Sequence, residues 1–158
     1  FRRVLFRSQI EQLSVFDMVI SGRQRFLQGW NNPTEADVTA TLNAMKKTGV
    51  SEIQQSNFAV LSDGIKQKVM LARCLAQDSR MILLDEPLAF LDFPSRTSFL
   101  RLLLELSHSE NKCVVYSSHD LHLSLQFCDH VLALTENKFS YYQNPKDLHL
   151  GDIFPESA

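Results

Sequence analysis

Four apolar residues, Met81-Ile82-Leu83-Leu84, run without a break into Asp85-Glu86-Pro87. A run this short and this apolar fits a strand buried on both faces, as in parallel sheets covered by helices. Two carboxylates at its C-terminal end would then stand where open α/β sheets bind ligands. One can hold a divalent cation, directly or through water, while the other positions and polarises an attacking water. A strand that merely exits into a polar turn looks similar, so the weight falls on the surrounding pattern.

That pattern alternates. Pro94 opens a Leu-rich helix to about residue 107, Cys113-Val114-Val115-Tyr116 is a second buried strand, and 120–127 is a short helix. Val131-Leu132-Ala133-Leu134 makes a third strand and Phe139-Ser140-Tyr141-Tyr142 an edge strand, before a turn at Asn144-Pro145. Such alternation implies a parallel sheet with helices packed on it. Upstream the chain reads as helical. A short helix covers 13–20, and Thr34 caps another, with Asp37 three residues on, one face at Val38, Leu42 and Met45, and a stop at Gly49. Ser62 opens a third helix to about residue 77, with Ile65, Val69 and Ala72 on one face.

The length of 158 residues allows one domain, or one domain with a small lobe. A net charge of −2 gives no electrostatic footprint for nucleic acid, and no nucleic-acid partner is expected. Cys74, Cys113 and Cys128 are odd in number and widely spaced, which excludes a disulfide framework and fits reduced thiols. No apolar run approaches the about 18 residues of a membrane span, so work at a membrane would need a partner to hold the chain there.

Three further segments carry chemistry. In Leu61-Ser62-Asp63-Gly64 the residues at a helix start present free N–H groups and the positive end of the helix dipole, which suits an anion such as a nucleotide phosphate. Phe90-Leu91-Asp92 follows the two acids closely. Ser117-Ser118-His119-Asp120 follows the second strand, where a histidine can hydrogen-bond a phosphate oxygen or an attacking water. Taken singly, the first is an ordinary Ser-capped helix and the last a loop histidine.

In this order and spacing the segments resemble the ATPase subunits of ATP-binding cassette (ABC) transporters over roughly residues 13–150. LSDGIKQKVMLARCLAQ resembles the signature motif and its helix, MILLDEP the Walker B strand, FLD the D-loop and SSHD the H-loop. The resemblance implies an α/β fold, part of the P-loop NTPase (ABC ATPase) type: a parallel sheet with helices and a helical subdomain. By it, residues 1–12 are an N-terminal remnant and 13–60 the helical subdomain. Residues 61–143 are a portion of the RecA-like catalytic core and 144–158 a C-terminal tail. It also implies ATP and Mg²⁺ as cofactors. Asp85 would bind Mg²⁺ through water, Glu86 would be the catalytic base, and His119 would contact the γ-phosphate. Asp92 would lie at a dimer interface. Ser62, Asp63 and Gly64 would contact ATP held by a second ATPase subunit.

The usual signature reads Leu-Ser-Gly-Gly-Gln, whereas here Asp63 replaces the first glycine and Ile65 the glutamine. Gln9 and Gln12 lie near the place of the Q-loop glutamine without its spacing, and neither is assigned. A Walker A loop needs Gly, four residues, then Gly-Lys-Ser/Thr. None of the five glycines, Gly22, Gly29, Gly49, Gly64 and Gly151, precedes a lysine. With a first residue that is Phe, N-terminal truncation is expected, removing the Walker A strand and an N-terminal β-subdomain, and the chain alone is expected to be inactive. FDMVISGRQRF, AFLDFPSR and SHDLHLSLQFCDHVLAL resemble importers of iron-siderophores, haem or cobalamin. That implies permease partners and a place on the cytoplasmic face of the inner or plasma membrane. Two alternatives stand beside this reading: a non-catalytic interaction module, and a non-transport ABC-type ATPase such as a DNA-repair protein. The latter would need a long coiled-coil insertion before Leu61.

Overall fold

The computed structural model describes residues 13–26, 32–135 and 139–148, with residues 24–26 described by their backbone alone. The expected remnant 1–12, with Gln9 and Gln12, and residues 149–158 of the expected tail lie outside the described residues.

Helix α1 (Val15–Ile20) starts in a reciprocal cap. Ser14 Oγ accepts from the Asp17 N–H at 3.0 Å, and the Asp17 carboxylate accepts from the Ser14 N–H at 3.1 Å. Thr34 and Asp37 repeat the device at α2 (Glu35–Thr48), which stops at Gly49 in the left-handed conformation, φ 72°. Both ends of α2 fall where the sequence places them. Its inner face agrees at Met45 only: Asp37, Thr41, Ala44, Met45 and Thr48 are buried, while Leu42 is 42% exposed. The polar side chains go inside because each is satisfied there. Asp37 accepts from Arg23 Nε at 2.9 Å, and the Thr41 and Thr48 hydroxyls donate to the carbonyls of Asp37 and Ala44 four residues back.

Helix α3 (Asp63–Ala76) buries Val69, Leu71, Ala72, Leu75 and Ala76 and packs on α1 and α2. The turn at 21–26 presses against it. A Cβ on Gly22 would lie 2.4 Å from the Arg73 carbonyl oxygen, so only glycine fits without displacement. Arg23 Nη1 donates to the Ala76 carbonyl at 3.0 Å, placing a cation at the C-terminus of α3.

Strands β1 (Met81–Leu84) and β2 (Cys113–Tyr116) pair in parallel, Met81 opposite Cys113 and Leu84 opposite Tyr116. Helix α4 (Phe93–Glu110) makes the crossover between them. After the short α5 (Leu121–Ser124), β3 (Val131–Leu134) pairs antiparallel with β4 (Phe139–Tyr142). Among the described residues, then, the parallel sheet is β1–β2, and the third strand turns to its sequence neighbour rather than to β2. The short connection between β3 and β4 is enough to join an antiparallel pair.

Burial on both faces does not occur within the described residues. Ile82 is 2% exposed, in one hydrophobic cluster with Phe99, Leu100 and Leu103 of α4, but Met81 is 52%, Leu83 68% and Val115 50% exposed. The alternation is that of a sheet covered on one side. A single hydrophobic cluster runs from Val15, Val19 and Met45 through α3 to α4 and Ile82.

Candidate functional site

Because β1 and β2 end in register, the residues just beyond them stand side by side. Ser117, the first residue after β2, continues the ladder by donating its N–H to the Leu84 carbonyl at 3.0 Å. Its hydroxyl donates to Asp85 Oδ1 at 2.7 Å and accepts from the Glu86 N–H at 2.8 Å. Two residues further on, His119 Nε2 meets Glu86 Oε1 at 2.6 Å. An ionised carboxylate only accepts, so in this contact Nε2 carries the hydrogen. Asp85, Glu86 and His119, singled out from the sequence, are thus brought together at the strand ends. Both partners of the last contact face solvent, with side chains 88% (His119) and 47% (Glu86) exposed.

The backbone there is not relaxed. Glu86 has φ 43°, in the left-handed region that long side chains seldom adopt, and Phe90 has φ 64°. Strain of this kind collects at functional sites where the surroundings hold it in place.

The loop after β2 is fixed by its own polar atoms. Ser118 Oγ accepts from the Asp120 N–H at 3.1 Å, and Asp120 Oδ1 caps α5 through the Leu123 N–H at 3.1 Å. Arg96 of α4 braces it, donating from Nη1 to Asp120 Oδ2 at 3.2 Å and from Nε to the Leu91 carbonyl at 2.9 Å. Ser117 and Arg96 lie in the SSHD and AFLDFPSR segments, which by themselves give neither residue a role. Ser117 was legible in principle, as a hydroxyl immediately after a strand that lies beside the acidic one.

Ser62, Asp63 and Gly64 form a second group. Ser62 stands at the N-cap of α3 with extended backbone, but its exposed side chain makes no capping bond. Asp63, with a side chain 66% exposed, lies 3.9 Å from Lys66 Nζ. Gly64 faces the start of α4: a Cβ there would sit 3.4 Å from Ser95 Oγ. Asp92 is the N-cap of α4, its Oδ1 accepting from the Ser95 N–H at 2.8 Å, and these Ser95 bonds hold its carboxyl below the usual range. No described hydrogen bond or ion pair links this group to Asp85, Glu86 or His119.

Among the described residues no three His, Cys, Asp or Glu side chains converge to enclose a cation. The chemistry of the first group still fits Mg²⁺, which prefers oxygen donors and is usually held by one or two carboxylates, waters and substrate phosphates. A hollow of about 650 Å³ lies elsewhere, lined by Lys46, Lys68, Phe93 and Arg101 among others. Neither Asp85, Glu86 nor His119 lines it, so it is not the site of that chemistry.

Comparison with known proteins gives the family. A family model described as ABC transporter matches residues 5–89. The petrobactin import ATP-binding protein FpuD of Bacillus anthracis is 33% identical over 141 residues, covering 87% of this chain and 50% of that protein. The achromobactin transport ATP-binding protein CbrD of Dickeya dadantii is 35% identical over 136 residues, 84% of this chain and 49% of that protein. An inward-facing structure described as a metal-chelate type ABC transporter superposes with a TM-score of 0.86 at 27% identity, over 91% of this chain and 59% of that one. The chain therefore spans about half the length of the curated relatives it matches.

Proposed function

The chain belongs to the ABC transporter family and carries part of its P-loop NTPase fold; from that premise we propose that it is the signature-to-H-loop part of an ATPase subunit that powers import of an iron-siderophore, haem or cobalamin-like ligand. The relatives named for petrobactin import and achromobactin transport support the cargo class. The mechanism rests on the Glu86–His119 contact at 2.6 Å beside Asp85.

In this reading Glu86 is the base that takes the proton of the attacking water. Its exposed carboxylate is already aimed by two constraints, the His119 N–H and its own backbone turn. His119 holds that carboxylate through its Nε2–H, the same N–H that would turn to a phosphate oxygen when nucleotide is bound. Asp85 would hold Mg²⁺ through water, and the bound ion would supply charge that neutralises phosphate oxygens. Ser62 and Gly64, at a helix start with no side-chain cap, present N–H groups to ATP held by a second subunit. Phe90 and Phe93, 89% and 69% exposed on either side of Asp92, give that second subunit apolar surface to cover.

Residues 13–60 serve as the helical subdomain that docks on permease subunits, 61–143 as the core portion, and 144–158 as a tail. No helix among the described residues is long and apolar enough to cross a membrane. Attachment to the cytoplasmic membrane face would then run through the permease. One observation favours the non-catalytic reading for the 158 residues by themselves: they hold no Gly-x4-Gly-Lys-Ser/Thr loop.

The test is Glu86→Gln in a cassette that joins this chain to such a loop. Turnover should fall by about 10²–10⁴-fold and ATP should hold the dimer together on size exclusion. The 158-residue chain run alongside should hydrolyse no ATP. Unchanged turnover in Glu86→Gln removes Glu86 as base, and robust turnover by the chain alone refutes the need for the loop.

A further inference from the structure

Resting on that reading of the site, we propose that Ser117 is a positioning residue that sets the two carboxylates relative to each other. Its hydroxyl has a single hydrogen. That hydrogen goes to Asp85 Oδ1 at 2.7 Å, so the 2.8 Å bond with Glu86 must be accepted from the Glu86 N–H. One oxygen therefore fixes the side chain of the first acid and the backbone of the second.

The second bond matters because of where it falls. Glu86 sits at φ 43°, a conformation that a glutamate leaves unless its neighbours hold it. Two bonds hold this turn on either side: Ser117 Oγ on the Glu86 N–H, and the Glu86 carbonyl accepting from the Ala89 N–H at 3.0 Å. With the backbone so turned, the Glu86 carboxylate reaches His119 at 2.6 Å. Ser117 is itself anchored by the ladder bond from its N–H to Leu84, the residue before Asp85. The hydroxyl is exposed, so it fills no core space and its loss leaves packing intact. Its effect is orientation, of the kind that groups bonded to metal ligands exert, where removal typically costs about 10–100-fold in affinity or activity.

The experiment compares Ser117→Ala with Ser117→Thr, which keeps the hydroxyl on a β-branched side chain suited to a strand end. In the 158-residue chain, exchange of the Glu86 amide should speed up about tenfold or more in Ser117→Ala and stay slow in Ser117→Thr. In a cassette carrying a phosphate-binding loop, Mn²⁺ binding with a non-hydrolysable ATP analogue, followed by electron paramagnetic resonance, should weaken about tenfold in Ser117→Ala. There kcat should fall by a similar factor with KM for ATP little changed, and Ser117→Thr should restore both. Unchanged amide exchange and Mn²⁺ affinity in Ser117→Ala overturn the proposal. So does an equal loss in both variants, because the hydroxyl is then not the active element. Glu86→Gln in parallel separates the two ideas: if it turns over normally the site reading has failed, and if it is inactive while Ser117→Ala is unaffected, only the role of Ser117 has.

Discussion

Replacing His119 by alanine should separate folding from turnover, and the structure sets the size of each effect. The His119 side chain is 88% exposed and its one partner, the Glu86 carboxylate, is 47% exposed. Exposed pairs of this sort contribute about 0.2–1 kcal/mol, because water screens the charges and competes for the bond. In a domain of this size that moves a melting midpoint by no more than about 4 °C. Placing a proton-transfer group, by contrast, is worth about 10²–10⁴ in rate. His119→Ala should therefore unfold almost like the parent in urea, while a cassette bearing it loses at least about 100-fold in phosphate release at saturating ATP. Turnover within about twofold of the parent would refute the reasoning. A loss of stability above about 2 kcal/mol would also refute it, since His119 would then be acting through the fold, which its exposure forbids.

Gly22→Ala should lower the urea midpoint by the equivalent of about 1–3 kcal/mol, because its Cβ would stand 2.4 Å from the backbone oxygen of Arg73, which cannot swing away. An unchanged or raised midpoint would contradict the close approach of the 21–26 turn to α3. Burial pushes the Tyr116 phenol from 10.0 up to about 12, so the fold favours its neutral form. That contribution is complete below pH 10 and is lost as pH rises toward about 12. Unfolding free energies measured across this range should slope downward in the parent and less so in Tyr116→Phe, and identical slopes would exclude Tyr116 as the cause.

What was legible in the sequence was local. Thr34 with Asp37, and Gly49 after Thr48, announce the ends of α2 because a cap is written within a few residues of the backbone it satisfies. The acids after β1 and the histidine after β2 were legible for the same reason, each following directly on its strand. The partners supplied from afar were not. The sequence sets Leu42 on one face with Met45 and gives Asp37 only a capping role, because nothing near them announces that Arg23 satisfies a buried carboxylate. Residues 81–84 were read as covered twice, but an apolar run records only that cover is wanted. Among the described residues α4 supplies one side, and Leu83 stays 68% exposed. Strand pairing followed the same rule: β3 reads as a further parallel strand by rhythm, yet it pairs with the strand that a short loop delivers.

The departures in the signature segment become easier to weigh in three dimensions. Helices α3 and α4 start side by side, since a Cβ on Gly64 would touch Ser95 Oγ at 3.4 Å and Leu91 Cδ2 at 3.9 Å. Each start carries about half a positive charge from its unpaired N–H groups. At α4 the Asp92 carboxylate absorbs that charge by accepting from the Ser95 N–H. At α3 the Ser62 hydroxyl makes no capping bond, and the one acid of the first turn is Asp63. Asp63, formally an added negative charge, is 66% exposed and lies 3.9 Å from Lys66 Nζ, so part of its field is offset within its own turn. An acid in this place is therefore less hostile to a phosphate than the spelling implies, and the first-turn N–H groups of α3 keep their bonding capacity for an outside acceptor. In the proposed dimer, that turn would serve a nucleotide held by a second copy of the protein.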